Sequence, residues 1–551
     1  MSNIFKGKKK ANHQKLRGGY YTPKPLANFL TKWAIRSGTE TVFEPSCGDG
    51  NFLESILGHL HSLKSYKGSK IVAVEIDSKE IDKARLRAAM INLPKVKIEW
   101  RNEDFFAAYQ TLRNEKFDVA IGNPPFIRFQ YFEDGPREIA FRHLKEAGYK
   151  PTKLANAWTA FIQLSIEMLA PKGRMAMVVP AELLQVNYAA ELRERITQQF
   201  DHIILISFKK LVFPDIQQEI VLLLAEGKRS KAAATSDVHT IEIENEADLS
   251  PSILNNKIAH TEAKHTRLGM KWTSFFLDSE TFNVLDEVQK NKGVRRLDEF
   301  VQVDIGIVTG RNSFFVLDKD TVKKRRLEKY VIPLVGKTYS IKAPRFGAYQ
   351  FEAHAQTAPA YLLNLKDIPQ NQFSKDLKEY IALGEKEKVN EGYKCAIRKR
   401  WYEVPSVYVA EGFLFRQINK YPLLVVNEAG AACTDTIHRV RLVKNVDIRQ
   451  ISASFVNSLT FAWSEVSGRS YGGGVLELEP AEADELPIPF FPEVVLDFEY
   501  VNKCFEENRH EDALDYVDQE ILIKKLKLSK KKVNSLRRAW KSLSERRINR
   551  K

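Results

Sequence analysis

A chain of 551 residues, 44% apolar and 28% charged, has a globular composition but is too long for one core at about 100–200 residues per domain, so two large domains are expected. No apolar run approaches the roughly 18–20 residues of a membrane span, the lysine-rich N-terminus lacks an apolar signal core, and Cys47, Cys395, Cys433 and Cys504 are too scattered for a disulfide framework or zinc site. These features exclude the membrane and disulfide-stapled classes and lead us to expect a reducing cytoplasm and no bound metal, while the net charge of +15 suits a polyanionic partner.

Residues 1–17 carry six Lys/Arg and no acid, and read as a basic N-terminal arm. From about 40 to 225, short apolar runs alternate with helical stretches: TVFEPS, IVAVEID, VKIEW, FDVAIGN, RMAMVVP, IILISF and EIVLLLAEG supply the strands. That alternation predicts a doubly wound, mostly parallel α/β sheet in a domain spanning 18–240, closed by a polar linker at 228–240. Residues 241–495 hold many short β-like runs broken by Gly, Pro and Asn, and read as a second, irregular α+β domain. The last segment, 496–551, is helical and basic, with thirteen Lys/Arg and two Glu after residue 519. Leu522, Leu526, Ser529, Val533, Leu536, Trp540 and Leu543 follow helical spacing, so one stripe is expected to pack on the second domain, with a DNA-facing polar side as an alternative.

The turns after the first four strands carry the chemistry. Glu44-Pro45-Ser46-Cys47-Gly48-Asp49-Gly50-Asn51-Phe52 is a Gly-containing turn at the usual ligand crevice of such sheets. It is neither GxGxxG nor a Walker sequence, and the acid Glu44 favours a cationic ligand over a phosphate. Glu75-Ile76-Asp77 ends the second strand, where an acid suits ribose hydroxyls and Ile76 an adenine face, although Asp77 also reads as a helix cap. Asp104 and Phe105 follow the third strand, as an acceptor for an amino group and a stacking ring.

After the fourth strand comes Asn123-Pro124-Pro125-Phe126. Two prolines hold an extended backbone without N–H groups and leave carbonyls free as acceptors. An aromatic amine is a poor nucleophile because its lone pair is delocalised. Acceptors at the Asn123 side chain and the Pro124 carbonyl would localise that pair and stabilise the developing positive charge. Phe126 would stack on the target base.

With these motifs in order, the chain resembles the gamma-class DNA amino-methyltransferases, the NPPY/NPPF group that includes the Taq-type adenine methyltransferases of restriction–modification systems. The resemblance implies a class I methyltransferase sheet, S-adenosylmethionine as cofactor and transfer to adenine N6 in double-stranded DNA after base flipping. It implies cofactor contacts from Tyr21 and Thr22 in GGYYTPKPLANFL, from Glu44, Pro45, Ser46, Gly48, Gly50 and Phe52, from Glu75 and Ile76, from Asp104 and Phe105, and from Asn123 and Phe161. Phe213, in LVFPDIQQEIVLLL, would join Phe126 against the flipped base, and 241–495 would be the target-recognition domain. Phe126 departs from the usual Tyr, which keeps stacking and loses a hydroxyl. A monomer working beside a separate cognate endonuclease is expected. Methylation of RNA, protein glutamine or cytosine N4 is the alternative catalytic reading, and a non-catalytic DNA-binding modification subunit is the other.

Overall fold

A computed structural model describes residues 21–63, 67–91, 93–128, 131–152, 155–212, 219–233, 235–471 and 473–550. The basic arm at 1–17 and Phe213 lie outside the described residues. Two compact units form: the described residues up to Ser279, together with the short segments 470–471, 473 and 549–550, make the first, and Glu280–Arg469 with Gly474–Ile548 the second.

The first unit is built on eight strands: β1 (Val42–Glu44), β2 (Ser69–Val74), β3 (Val96–Arg101), β4 (Phe117–Gly122), β5 (Leu169–Pro180), β6 (Phe200–Phe208), β7 (Ile220–Lys228) and β8 (Val238–Ile243). Their order is β3-β2-β1-β4-β5-β7-β6-β8. The pairs β1–β2, β2–β3, β1–β4 and β4–β5 are parallel, and β7 runs antiparallel between β5 and β6. Strands β4 to β7 are near-continuous apolar runs because both faces of the sheet are covered by helices. The chain passes from β1 outward to β3 and then returns to place β4 on the other side of β1. The sheet is therefore doubly wound, with its switch point between β1 and β4, where strand carboxyl ends diverge to leave a crevice.

Helices α1 (Lys24–Ala34), α2 (Asn51–Ser62), α3 (Ser78–Ile91), α4 (Phe105–Leu112), α5 (Asp134–Glu146) and α6 (Ala157–Glu167) connect or cover these strands. Helix α6 is buried from Ala157 to Ile166, so polarity does not mark an outer face. Gly50 starts α2 with φ +90, and a Cβ there would stand 2.8 Å from both Cα and Cβ of Ala84 on α3. The glycine lets two helices meet, which is a packing role rather than the expected approach to a cofactor.

The expected boundary at 240 falls inside β8, so the first unit continues past it. The outer edge of β6 leaves a row of N–H and C=O groups, and β8 pairs with them in parallel from Val238 to Ile243. Thr240 Oγ1 then donates to the Phe275 carbonyl at 2.8 Å. The linker reading of 228–240 is corrected at its last residues for the same reason.

The second unit is α+β. Its five-stranded sheet places Ile437–Leu442 between Val301–Ile305 and Gly412–Phe415, with Leu424–Asn427 and Arg345–Phe346 beyond. The expected separate extension at 496–551 forms part of this unit up to Ile548. The predicted stripe does pack inward: Leu522, Val533, Leu536, Trp540 and Leu543 are buried, but Lys527 at φ +58 breaks the segment into two helical pieces. Helix Lys530–Ile548 lies on helix Ser458–Ser467, with Trp540 edge-on to Phe461. Arg547 Nη2 meets Glu465 Oε1 at 2.7 Å, both almost fully buried. Lys532, Arg537 and Lys541 also pair with acids of this unit, so much of the tail's charge is neutralised internally.

Candidate active site

A cavity of about 690 Å³ opens at the switch point. Its wall comes from the residues following β1 (Pro45, Ser46, Gly48), β2 (Glu75, Ile76, Asp77), β3 (Glu103 to Phe106) and β4 (Asn123, Pro125, Ile127), closed by Ala157 and Phe161 of α6 and by Tyr21. Four turns distant in sequence meet because all four are carboxyl ends of neighbouring parallel strands. Ser46 Oγ donates to the backbone carbonyl of Asn123 at 3.2 Å and ties the first turn to the fourth.

Glu75 is the most constrained acid of this wall. One carboxylate oxygen accepts from Gly48 N–H at 3.0 Å and the other from Asp77 N–H at 2.8 Å. Each oxygen keeps a further lone pair for a ligand. Burial pushes its pKa up, opposed by those two N–H groups. Asp104 caps α4, its Oδ1 accepting from Phe106 and Ala107 N–H at 2.9 and 3.3 Å, and burial raises its pKa too. The rings of Phe105 and Phe161 stack on each other at 4.6 Å and 24°. They form one aromatic wall instead of two separate contacts.

Among the described residues six carboxylates line the cavity (Glu75, Asp77, Glu80, Glu103, Asp104 and Glu133) and no Lys or Arg does. Such a wall repels phosphate and favours a cation. Sequence reasoning took Glu75 and Asp104 for ligand contacts and left Asp77 between a cap and a contact. It missed Glu80, Glu103 and Glu133, as well as Tyr131, Phe132 and Pro136, which border the same space from the approach to α5.

Four expected cofactor residues do not line the cavity: Thr22, Glu44, Gly50 and Phe52. Thr22 and Phe52 are buried. Glu44 is fully buried, neither of its oxygens has a hydrogen-bond partner among the described residues, and desolvation together with Glu75 and Asp49 raises its pKa well above the ordinary value of a glutamate. Burial without a partner disfavours its ionised form, and the negative potential of the cavity comes from the wall acids instead. Cys47 is buried as well, and burial with Glu44 and Glu75 pushes its thiol far up, so it is no thiolate nucleophile.

Residues 6–304 match the family described as N-6 DNA Methylase, more than half of the chain. The chain belongs to that family. Residues 269–522 match the C-terminal domain of the type II methyltransferase M.Eco57I. Type II methyltransferase M.AccI of Acinetobacter calcoaceticus is 24% identical over 499 residues, 86% of this chain and 85% of its own. M.XamI of Xanthomonas campestris pv. amaranthicola is 22% identical over 488 residues, with coverage of 86% and 85%. The DrdV–DNA complex and the type IIL restriction-modification enzyme MmeI in complex with DNA each give a TM-score of 0.52, at 13% and 11% identity. They cover 90% and 96% of this chain, and 57% and 72% of theirs; this likeness is one of fold. The protein is an enzyme that methylates adenine N6 in DNA, on a class I methyltransferase sheet.

In this methylase the corner Asn123-Pro124-Pro125-Phe126 leaves β4 extended and enters no helix or strand. Asn123 and Pro125 line the cavity, whereas Pro124 and Phe126 are buried beside it without lining it. Ile127 N–H donates back to the Pro125 carbonyl at 2.9 Å, and Ala157 N–H to the Ile127 carbonyl at 3.0 Å, which fastens the corner to α6. Among the described residues nothing donates to the Pro124 carbonyl. Asn156, one residue before that junction, donates to Tyr188 Oη at 2.7 Å and to Glu182 Oε2 at 3.1 Å, a polar cluster that the sequence reading did not find. No helix among the described residues is long and apolar enough to cross a membrane.

Proposed function

We propose that the methylase takes its methyl group from S-adenosylmethionine and places it on an adenine swung out of double-stranded DNA at a specific sequence, as the modification activity of a restriction–modification system. The observation that carries this reading is the position of Asn123 and Pro125 in the wall of an acid-lined cavity that has no Lys or Arg among its described lining residues. When bound, S-adenosylmethionine supplies an electrophilic methyl group on a sulfonium. The wall acids attract its positive charge, and Glu75, already oriented by two N–H groups, takes the ligand's hydroxyls.

The remaining work falls to the corner. The Asn123 side chain and the Pro124 carbonyl accept from the two N–H bonds of the target amine, draw the nitrogen toward tetrahedral geometry and stabilise the charge that develops on it. The Ser46 hydroxyl and the backbone N–H groups of Ile127 and Ala157 hold the corner's backbone in place, so little reorganisation is needed during transfer. Phe126 and Phe213 stack on the extruded base, offsetting the few kcal/mol lost on unpairing it. The second unit reads the flanking sequence through base-edge contacts. The polyanionic partner is DNA, and a separate endonuclease is the cognate activity. Incubation with labelled cofactor and unmodified DNA tests the reading. Label in N6-methyladenine supports it, and label confined to RNA, protein or cytosine rejects it.

A further inference from the structure

The cavity wall repels phosphate, so the substrate's backbone must be held elsewhere. One face of the second unit has the chemistry to do so. The loop 306–312 lies against the segment 393–400, fastened by Arg398, whose Nη2 donates to the carbonyls of Val308 at 3.3 Å and Thr309 at 2.7 Å. The Arg398 guanidinium also sits 5.5 Å from the centre of the Phe315 ring. Gly310, at φ +83, comes so near that a Cβ would stand 2.9 Å from Cβ of Lys394. Arg311 of the loop and the basic segment 393–400 are thereby held on one surface.

That surface combines unneutralised charge with exposed apolar groups. Arg311, Lys394 and Lys399 are exposed, and none has a carboxylate partner among the described residues. Some exposed cations of the unit are neutralised, as Arg295, Arg296 and Arg449 are by Glu299, Asp298 and Glu428, whereas Lys323, Lys324, Arg325 and Arg326 have no carboxylate partner among the described residues either. Between Arg311, Lys394 and Lys399 stand Val308, Tyr393 and Ile397, which are 41%, 76% and 66% exposed. Unneutralised cations interleaved with bare apolar groups fit a polyanion that has apolar parts of its own. Duplex DNA offers phosphates to the first and sugar faces to the second.

We infer that the face formed by Val308, Arg311, Tyr393, Lys394, Ile397 and Lys399 grips the backbone of the substrate DNA. This rests on the reading of double-stranded DNA as substrate. The grip is independent of base sequence and supplies the salt-dependent part of the affinity.

The test uses the full chain, a labelled duplex of about 30 base pairs and anisotropy titrations from 50 to 200 mM salt. Replacing Arg311, Lys394 and Lys399 together by Ala removes three phosphate contacts, so the slope of log affinity against log salt falls by about 2.7 at roughly 0.9 per contact. Across that fourfold salt range the variant loses about 40-fold less affinity than the parent. A control with the same charge change is Lys319→Ala, Lys375→Ala and Lys503→Ala, whose ammonium groups already pair with Glu352, Glu379 and Glu507. It retains the parental slope. Unchanged cofactor affinity and melting temperature show that the first variant is folded. An unchanged slope in that variant, or equal changes in both, overturns the inference while leaving the DNA reading intact. A parent chain that binds no duplex at any salt overturns both. Loss of binding to polyglutamate with duplex binding untouched assigns the face to an acidic protein and also overturns it.

Discussion

Gly48 and Gly50 stand two residues apart in one turn, yet the structure gives them opposite duties, and replacing each by Ala separates these. A Cβ on Gly50 meets the backbone Cα of Ala84 at 2.8 Å, so α2 and α3 must move apart. Forcing Ala into the left-handed region costs about 1–2 kcal/mol, and overpacking adds about 1–3 kcal/mol. The sum, about 2–5 kcal/mol, lowers the melting temperature of the first unit by about 4–20 °C at 2–4 °C per kcal/mol. Gly48 also has a positive φ, +53, but a Cβ there meets nothing within 4 Å, and the residue lines the cavity. Gly48→Ala therefore costs only the conformational term of about 1–2 kcal/mol, while the added methyl intrudes on ligand space. Calorimetry with cofactor titration on both variants reads the two effects. Gly50→Ala should melt early and, where still folded, bind cofactor near normally. Gly48→Ala should melt nearly normally and bind weakly. A Gly50 variant that is stable but unable to bind would refute the packing account.

Other expectations follow from the same geometry. Burial raises the pKa of Glu44 above its unfolded value, so its ionisation costs stability as pH rises above about 4.5. Glu44→Gln cannot ionise, and the melting difference between variant and parent should shift in the variant's favour from pH 4 to pH 8; a pH-independent difference would contradict this. Arg547→Ala strands the buried carboxylate of Glu465 and should cost about 3–5 kcal/mol in the second unit, measured by denaturant titration; a loss below about 1 kcal/mol would mean the pair is solvated. Phe126→Tyr should keep turnover on duplex DNA, whereas Phe126→Ala should reduce it strongly, and the reverse order would sink the stacking role.

Much of the first unit was legible because its strands announce themselves. MAMVVP and IVLLLA are apolar on every residue, which only a sheet covered on both faces requires. The corner at Asn123 was legible because Pro-Pro after a buried strand permits few conformations. β8 was not, since HTIEI alternates polar and apolar residues and reads equally as a loop entering a new domain. The acids Glu80, Glu103 and Glu133 reach the cavity from a helix, a turn and a loop, and no spacing along the chain relates them. Asp104 and Asp77 were given contrasting duties, yet each accepts a hydrogen bond near a helix start and each borders the cavity. The tail's inward stripe was readable from its period. The left-handed turn at Lys527 and the ion pairs that silence its charge were not, because no helical spacing marks that turn and the partners Glu287, Glu511 and Asp518 come together with the tail only in the fold.

The most direct test of the account is single-turnover methyl transfer to duplex DNA by Asn123→Ala, with the cofactor dissociation constant measured on the same preparation. Loss of one preorganised acceptor predicts a rate lower by about 10²–10³, with cofactor affinity changed less than about threefold. A variant that transfers methyl groups at the parental rate would contradict the claim that this corner activates the adenine amine.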